Sequence, residues 1–385
     1  MQIENIIQSK NGAVFFPIIK QIGASLASSL FAMAIILTGW GALVSTAEAV
    51  PVKWHPGHYV TLVNPGKDSD YYMQQVYSEL KSTPALRGVM IRYQWDEIEK
   101  GKGVYDFRSI DRHLAELAKR NKRLILFIEI KSFKPDEIRV PKYLQTAEYD
   151  GGVFAYTASG SNKIKGYNIK LWNQKVHDRF AALMRALGNR YNSKPNFEGI
   201  GFQETAIGEG LKPLTSTQVS KYYSNLLSIN QITRNSFPNT MSFQYTNYPR
   251  NILKSFVGKL KAMGTALGCP DIFLQDPGLL HKGTANSPAG VYSYYPPNSG
   301  VMPLVVQVEK SNYEDTRHDG AGYKPAIGEL LQFGRDTLKV NYILWTRSPG
   351  HFNRVLETLR MNTQSRSPSG GLKSACPSVY DSCTN

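Results

Sequence analysis

The sequence is poor in metal-ligand patterns. Its 385 residues include three cysteines and seven histidines. No CxxC pair and no histidine cluster at ligand spacing occurs, so neither a metal centre nor a cofactor is expected. No glycine-rich phosphate turn follows an early strand-like run, which argues against a dinucleotide-binding doubly wound sheet. Acidic residues are also scarce, 30 against 45 basic ones, for a formal net charge of +15. In residues 1–49 Lys10 and Lys20 cancel Glu4 and Glu48, so the excess sits on the remainder. That excess suits an acidic polymer, an anionic envelope surface or nucleic acid, and it equally suits charge kept for solubility. No nucleic-acid motif accompanies it, so nucleic acid is not the expected partner.

What remains is an ordinary globular composition, 42% hydrophobic and 19% charged, ample for one large core. The N-terminus reads as an address. Lys10 and Lys20 precede an uncharged stretch from Ile22 to Ala47, and Ala47-Glu48-Ala49 offers small residues where a signal peptidase inspects the chain. The stretch also reaches the roughly 20 residues a membrane span needs, so an uncut anchor is the competing reading. Residues 1–49 are therefore expected to be a leader. The rest should be secreted or periplasmic, touching a membrane only if the leader stays attached. In an exported protein, two of Cys269, Cys376 and Cys383 should pair. Cys376 with Cys383 would close a small tail loop, and Cys269 with a tail cysteine is the alternative.

Eight apolar runs punctuate the chain at 58–63, 87–95, 123–131, 197–205, 240–248, 271–278, 301–309 and 340–347. Continuous apolar runs fit strands covered on both faces, as in parallel sheets. Most intervals carry helical spacing, over 106–121, 173–191, 215–231, 250–264, 326–339 and 351–362, with Thr215 or Ser216 as a possible cap. Strict alternation of strand and helix predicts a parallel sheet. Eight strands over residues 50–362 predict a closed (β/α)8 TIM barrel. Long loops, from about Ser132 to Trp172 after strand 3 and from about Leu279 to Gly300 after strand 6, would overhang the face where barrel active sites form. The tyrosine-rich VYSYY of the second loop (291–295) suits stacking on sugars or packing within the loop. Residues 363–385 read as a serine- and glycine-rich tail without structure.

The stretch GIGFQET (199–205) carries strand 4 into Gln203 and Glu204, and strand 7 runs into Glu309. Period-two alternation places Glu309 with Gln307 and Val305 on one face. In a barrel the C-terminal strand ends converge, so these carboxylates can face one another across one pocket. Two carboxyl groups roughly 5 Å apart suit retaining glycoside hydrolysis, one donating a proton and the other attacking the anomeric carbon. Glu129 ends strand 3 and either faces the pocket or pairs with Lys131. Asp276, at the end of strand 6, is the spare carboxylate. Tyr245 and Asn247 near the end of strand 5 are candidates to line the pocket. His281, Glu209 and Glu314 read as loop residues in solvent.

These segments resemble the barrel glycosidases of the β-galactosidase, cellulase and xylanase-like families. IRYQWDEIEKGKGVYDF (91–107) resembles their strand 2 segment, LWNQKVHDRFAALMRALGNRYNSKPNFEGIGFQET (171–205) their helix 3 to strand 4 segment, and YILW (342–345) their strand 8. The resemblance implies Glu204 as acid/base and Glu309 as nucleophile. It further implies Arg92 as hydrogen-bond partner of the nucleophile and Trp345 as the platform beneath the sugar, although Trp345 also reads as core. Those families carry Asn before the acid/base, and Gln203 offers the same amide on a longer arm. The expectation is a retaining glycoside hydrolase acting on an exported or envelope polysaccharide or oligosaccharide, an anionic one if the net charge is read as a substrate signal. An inactive carbohydrate-binding barrel is the alternative that Gln203 keeps open.

Overall fold

A computed structural model describes residues 50–63, 65–158, 160–362 and 366–385. The leader expected in residues 1–49 lies outside them. Eight parallel strands close on themselves: β1 (Gly57–Leu62), β2 (Leu86–Gln94), β3 (Arg123–Glu129), β4 (Phe197–Phe202), β5 (Met241–Tyr245), β6 (Ala266–Cys269), β7 (Leu304–Val308) and β8 (Tyr342–Thr346). Each pairs with its sequence neighbours, and β8 closes on β1. This is the predicted (β/α)8 barrel.

Alternation within each strand builds two cores. On β3, Leu124, Leu126 and Ile128 face the helices, while Ile125 and Phe127 fill the barrel beside Met90, Phe243, Tyr245, Val305 and Leu344. Strand 4 shows why its glycines are there. Ile200 and Phe202 face outward, leaving Gly199 and Gly201 inward. A Cβ on Gly201 would lie 2.1 Å from the Phe243 ring, so the small residue makes room for the large one.

The outer layer comprises α1 (Asp70–Ser82), α2 (Arg108–Ala118), α3 (Gln174–Tyr191), α4 (Ser216–Ser236), α5 (Arg250–Met263), α6 (Ile327–Gln332) and α7 (Phe352–Met361). The sequence reading missed α1, whose apolar residues Met73, Val76, Tyr77 and Leu80 have helical spacing and whose cap is Ser69. Thr215 caps α4 in a reciprocal box with Gln218.

Three further expectations are corrected. Strand 6 is not 271–278 but Ala266–Cys269, and Pro270, lacking an N–H, ends it. Residues 271–278 form a loop, apolar because Ile272 and Phe273 turn back into the outer core. The loop after strand 3 is not irregular throughout. Val153–Thr157 and Ile164–Ile169 form a hairpin, to which Glu209–Gly210 adds a third short strand. The tail is also structured. Cys383–Thr384 pairs in parallel with Val52–Lys53, Cys376 and Cys383 are disulfide-bonded, and Tyr380 packs edge-on against Trp54. The tail thereby covers the N-terminal end of the barrel, opposite the mouth. Cys269 is free and buried.

Candidate active site

At the C-terminal ends of the strands lies a cavity of about 330 Å³, lined by Arg92, Phe127, Phe133, Gln203, Glu204, Tyr245, Pro270, Asp271, Glu309, Lys310 and Ser311. Glu204 and Glu309, from the ends of β4 and β7, both face into it.

Glu309 is held by a connected set of donors. Arg92 Nη2 donates to its Oε1, as does Gln307 Nε2 at 2.5 Å, and Thr346 Oγ1 donates to Oε2 at 3.3 Å. Gln307 serves in both directions. Its Oε1 accepts from Arg92 (2.8 Å) and from the Tyr245 hydroxyl (2.6 Å), while Nε2 also reaches Thr346 Oγ1 (3.0 Å). Every polar atom of that amide is used, so its orientation is determined. The geometry follows from register: Val305, Gln307 and Glu309 share the inward face, as alternation predicted.

Arg92 projects from β2 over the Phe127 ring, 5.3 Å from its centre, and also approaches Glu129 at 3.5 Å. Burial opposes its charge, but Glu309 and Glu129 outweigh burial and hold the guanidinium above its ordinary pKa. Burial, reinforced by Glu309 and opposed by Arg92, pushes the Tyr245 phenol well up, so it stays a donor.

Glu204 is tied differently. Lys131 Nζ lies 2.7 Å from its Oε1 and 2.7 Å from the Ala206 carbonyl. Glu129, the other end-of-strand carboxylate, pairs with Arg139 (2.8 Å) and not with Lys131.

Several expected residues fall elsewhere. Trp345 is fully buried on the outward face of β8, with Nε1 donating to His58 Nδ1 (3.1 Å). The inward positions of β8 are Tyr342, Leu344 and Thr346, so Thr346 and not Trp345 reaches the mouth. Gln203 lines the cavity, but its amide is spent on the chain after β3. Its Oε1 accepts from the Ile130 and Lys131 amides (2.6 and 2.5 Å), and Nε2 donates to the Lys131 carbonyl. Asn247 is buried and braces the turn after Glu204, accepting from the Ala206 amide at 3.2 Å. Asp276 is buried away from the cavity, accepting from the Gly278 and Leu279 amides and paired with His318. The misplaced strand 6 caused that error. Tyr292 and Tyr295 are buried, their hydroxyls donating to the carbonyls of Asp271 and Val305, so of the three tyrosines in VYSYY the partly exposed Tyr294 alone keeps an open face.

Of the cavity residues that the sequence did not single out, Asp271 and Phe133 matter most. Asp271 follows Pro270 directly, and burial with the nearby Glu309 and Glu204 charges pushes its carboxyl up to about 7. The signal was available, because Gly264 caps the end of α5 and a strand must follow within a few residues. Phe133 stands on the rim, about half exposed at 52%, two residues beyond Lys131 in a segment with no periodicity to flag it.

No known family model matches the chain, and no curated protein matches it in sequence. Solved structures do match in fold. The catalytic domain of a β-amylase from Paenibacillus polymyxa superposes with a TM-score of 0.56 at 8% identity, over 80% of this chain and 98% of that one. A β-galactosidase from Bacillus circulans sp. alkalophilus gives 0.54 at 11% identity, over 81% of this chain and 56% of that one. The cold-adapted β-galactosidase from Rahnella sp. R3 gives 0.56 at 11%, over 83% and 58%. The chain thus spans little more than half of those two β-galactosidase chains. At such identities the likeness establishes the fold, a Tim-type (β/α)8 barrel shared with glycoside hydrolases.

Proposed function

We propose that the protein is a retaining glycoside hydrolase in which Glu309 attacks the anomeric carbon and Glu204 serves as acid and then base. The observation that carries this reading is the placement of Glu204 and Glu309 in one small cavity at the barrel mouth, with Glu309 fixed by Arg92, Gln307 and Thr346. Arg92 and Tyr245 hold the nucleophile in place, directly and through Gln307. Gln203 and Asn247 set the backbone on either side of Glu204. Phe133 takes the stacking role expected of Trp345, because an exposed ring at the rim can meet the apolar face of a sugar. The leader expected in residues 1–49 and the +15 charge favour an exported enzyme acting on a polysaccharide, anionic in the fullest form of the reading.

A catalytically inactive carbohydrate-binding barrel is the second reading. The Lys131 contact to Glu204 and the fully engaged Gln203 amide favour it. One experiment separates the two. Purified protein is screened against a polysaccharide panel, with product stereochemistry read by NMR, alongside Glu309→Gln. An enzyme yields a product of retained configuration, and the variant loses roughly 10⁴-fold or more in turnover while keeping sugar affinity. A binder shows affinity and no turnover in either form. A product of inverted configuration removes Glu309 as nucleophile.

A further inference from the structure

Among the described residues three carboxyl groups line the cavity, and two of them have a cation. Glu309 has Arg92, and Glu204 has Lys131. Asp271 has neither: its side-chain partner is the neutral Asn312, whose Nδ2 donates to Oδ1 at 3.2 Å. Asn312 Oδ1 in turn accepts from the amides of Glu309 (2.8 Å) and Ile272 (3.2 Å). One amide side chain therefore clips the Asp271 loop to the residue proposed as nucleophile. The Tyr292 hydroxyl anchors the Asp271 carbonyl at 3.0 Å. Asp271 is thus held against the cavity wall from two sides and lines the same space as Glu204 and Glu309.

We propose that Asp271 is a third substrate-contacting group of this mouth, donating a hydrogen bond from its carboxyl to a hydroxyl of the sugar bound between Glu204 and Glu309. The proposal rests on the glycosidase reading and deepens it. A carboxyl can donate only while protonated, and its surroundings favour that form. The groups around it are Glu309 after β7, Glu204 after β4, Asp276 on its own loop, Cys269 on β6, Tyr245 on β5 and Tyr292 from the loop beyond. All are acids or neutral donors. Arg92 and Lys310 also line the cavity, and they are engaged by Glu309 and Glu314 respectively. Burial and the flanking carboxylates raise the proton affinity of Asp271, and the Asn312 hydrogen bond opposes them only in part. A neutral carboxyl beside Glu309 also spares the site a third negative charge at its centre.

The test uses Asp271→Asn, which keeps a donor and the shape, and Asp271→Ala, which keeps neither. Infrared difference spectra of the free protein between pH 5 and 9 should show a protonated carboxyl band that titrates near neutrality and is missing from Asp271→Asn. In thermal melts Asp271→Asn should gain on wild type as pH rises from about 4 to 8, since a carboxyl raised in the folded state loses stability on ionising. With a cleaved glycan, Asp271→Asn should stay within a few-fold of wild type at pH 6 and lose the fall in kcat/KM above neutrality. Asp271→Ala should lose about tenfold. Wild-type activity together with an unaffected Asp271→Ala, or absence of the titrating band, overturns the proposal and leaves the glycosidase reading standing. A wild-type protein that neither binds nor cleaves any glycan overturns both, and the band then reports an unusual carboxyl without a sugar partner.

Discussion

The Lys131 ammonium stands 2.7 Å from Glu204 Oε1 and is flanked by Phe133 and Tyr156, whose ring centres are each 4.7 Å away. Lys131 itself is 3% exposed. A buried ammonium without a partner would be costly, so Glu204, the Ala206 carbonyl and the two rings together satisfy it. The proposed acid/base thereby also anchors the turn that follows β4.

Removing the cation should therefore act on stability as well as activity. Lys131→Met keeps the length of the stem and leaves Glu204 and the Ala206 carbonyl without their donor. Breaking a part-buried pair in this way should cost about 2–3 kcal/mol. The cost is read as a shift in the urea midpoint at constant slope. An unchanged midpoint would mean that water replaces the ammonium without penalty.

Much of the barrel was legible because parallel strands, covered on both sides, read as apolar runs, and seven of the eight were found in place. Strand 6 was not legible for the same physical reason that makes it work. Ala266 and Gly268 are small because Phe243 and Tyr245 from β5 occupy the space beside them. Only Leu267 of the four is a large apolar residue, so the strand makes no apolar run, and the neighbouring DIFL segment does. That slip moved the spare carboxylate from Asp271 to Asp276. The inward face of β7 was readable from polar Gln307 and Glu309. On β8 the large Trp345 drew the assignment, although Thr346, as the polar residue at the strand end, marked the side facing the mouth. The tail was unreadable because its order comes from a disulfide and from pairing with Val52–Lys53, more than 300 residues earlier in the chain.

The strand 4 glycines give a packing prediction. Gly201→Ala would bring a methyl to 2.1 Å from the Phe243 ring, a separation that requires movement. Overpacking of this kind should cost about 1–3 kcal/mol, with Glu204 displaced as the strand shifts. Phe243→Leu in the same chain should restore part of the loss. A double-mutant cycle in chemical denaturation reads the coupling, and strictly additive losses would show that the two residues do not compete for this space.

Acid stability should carry the mark of His58. Its Nδ1 accepts from Trp345 Nε1 at 3.1 Å, and its Nε2 faces the Gly370 carbonyl at 3.3 Å. The neutral ring with its proton on Nε2 meets both partners, whereas a second proton on Nδ1 would confront the indole N–H. Burial lowers its pKa to about 4, and burial with Arg112 lowers that of His113 to about 4. A histidine depressed in the folded state takes up its proton on unfolding, so stability is lost as pH falls from about 6.5 to about 4. The loss should be up to about 3 kcal/mol for His58. His58→Gln should flatten the pH dependence of the urea midpoint over that window. An unchanged slope would place the acid lability in other groups.

Phe133 gives the prediction that bears most directly on substrate shape. It stands at the rim, and its edge-on contact with Tyr156, at 6.5 Å between ring centres, leaves about half of its surface open. A sugar stacked there would extend outward from the unit held between Glu204 and Glu309, so the ring should matter for chains and little for a monosaccharide glycoside. Phe133→Ala removes an aromatic contact of about 0.5–1.5 kcal/mol. KM for an oligosaccharide should therefore rise roughly three- to tenfold, with kcat nearly unchanged, while an aryl monoglycoside is cleaved as before. A kcat that falls equally on both substrates would mean that the ring shapes the Lys131–Glu204 pair and does not hold the sugar. Phe133→Trp distinguishes the two further, because a larger open face should tighten oligosaccharide binding while leaving Lys131 its aromatic neighbour.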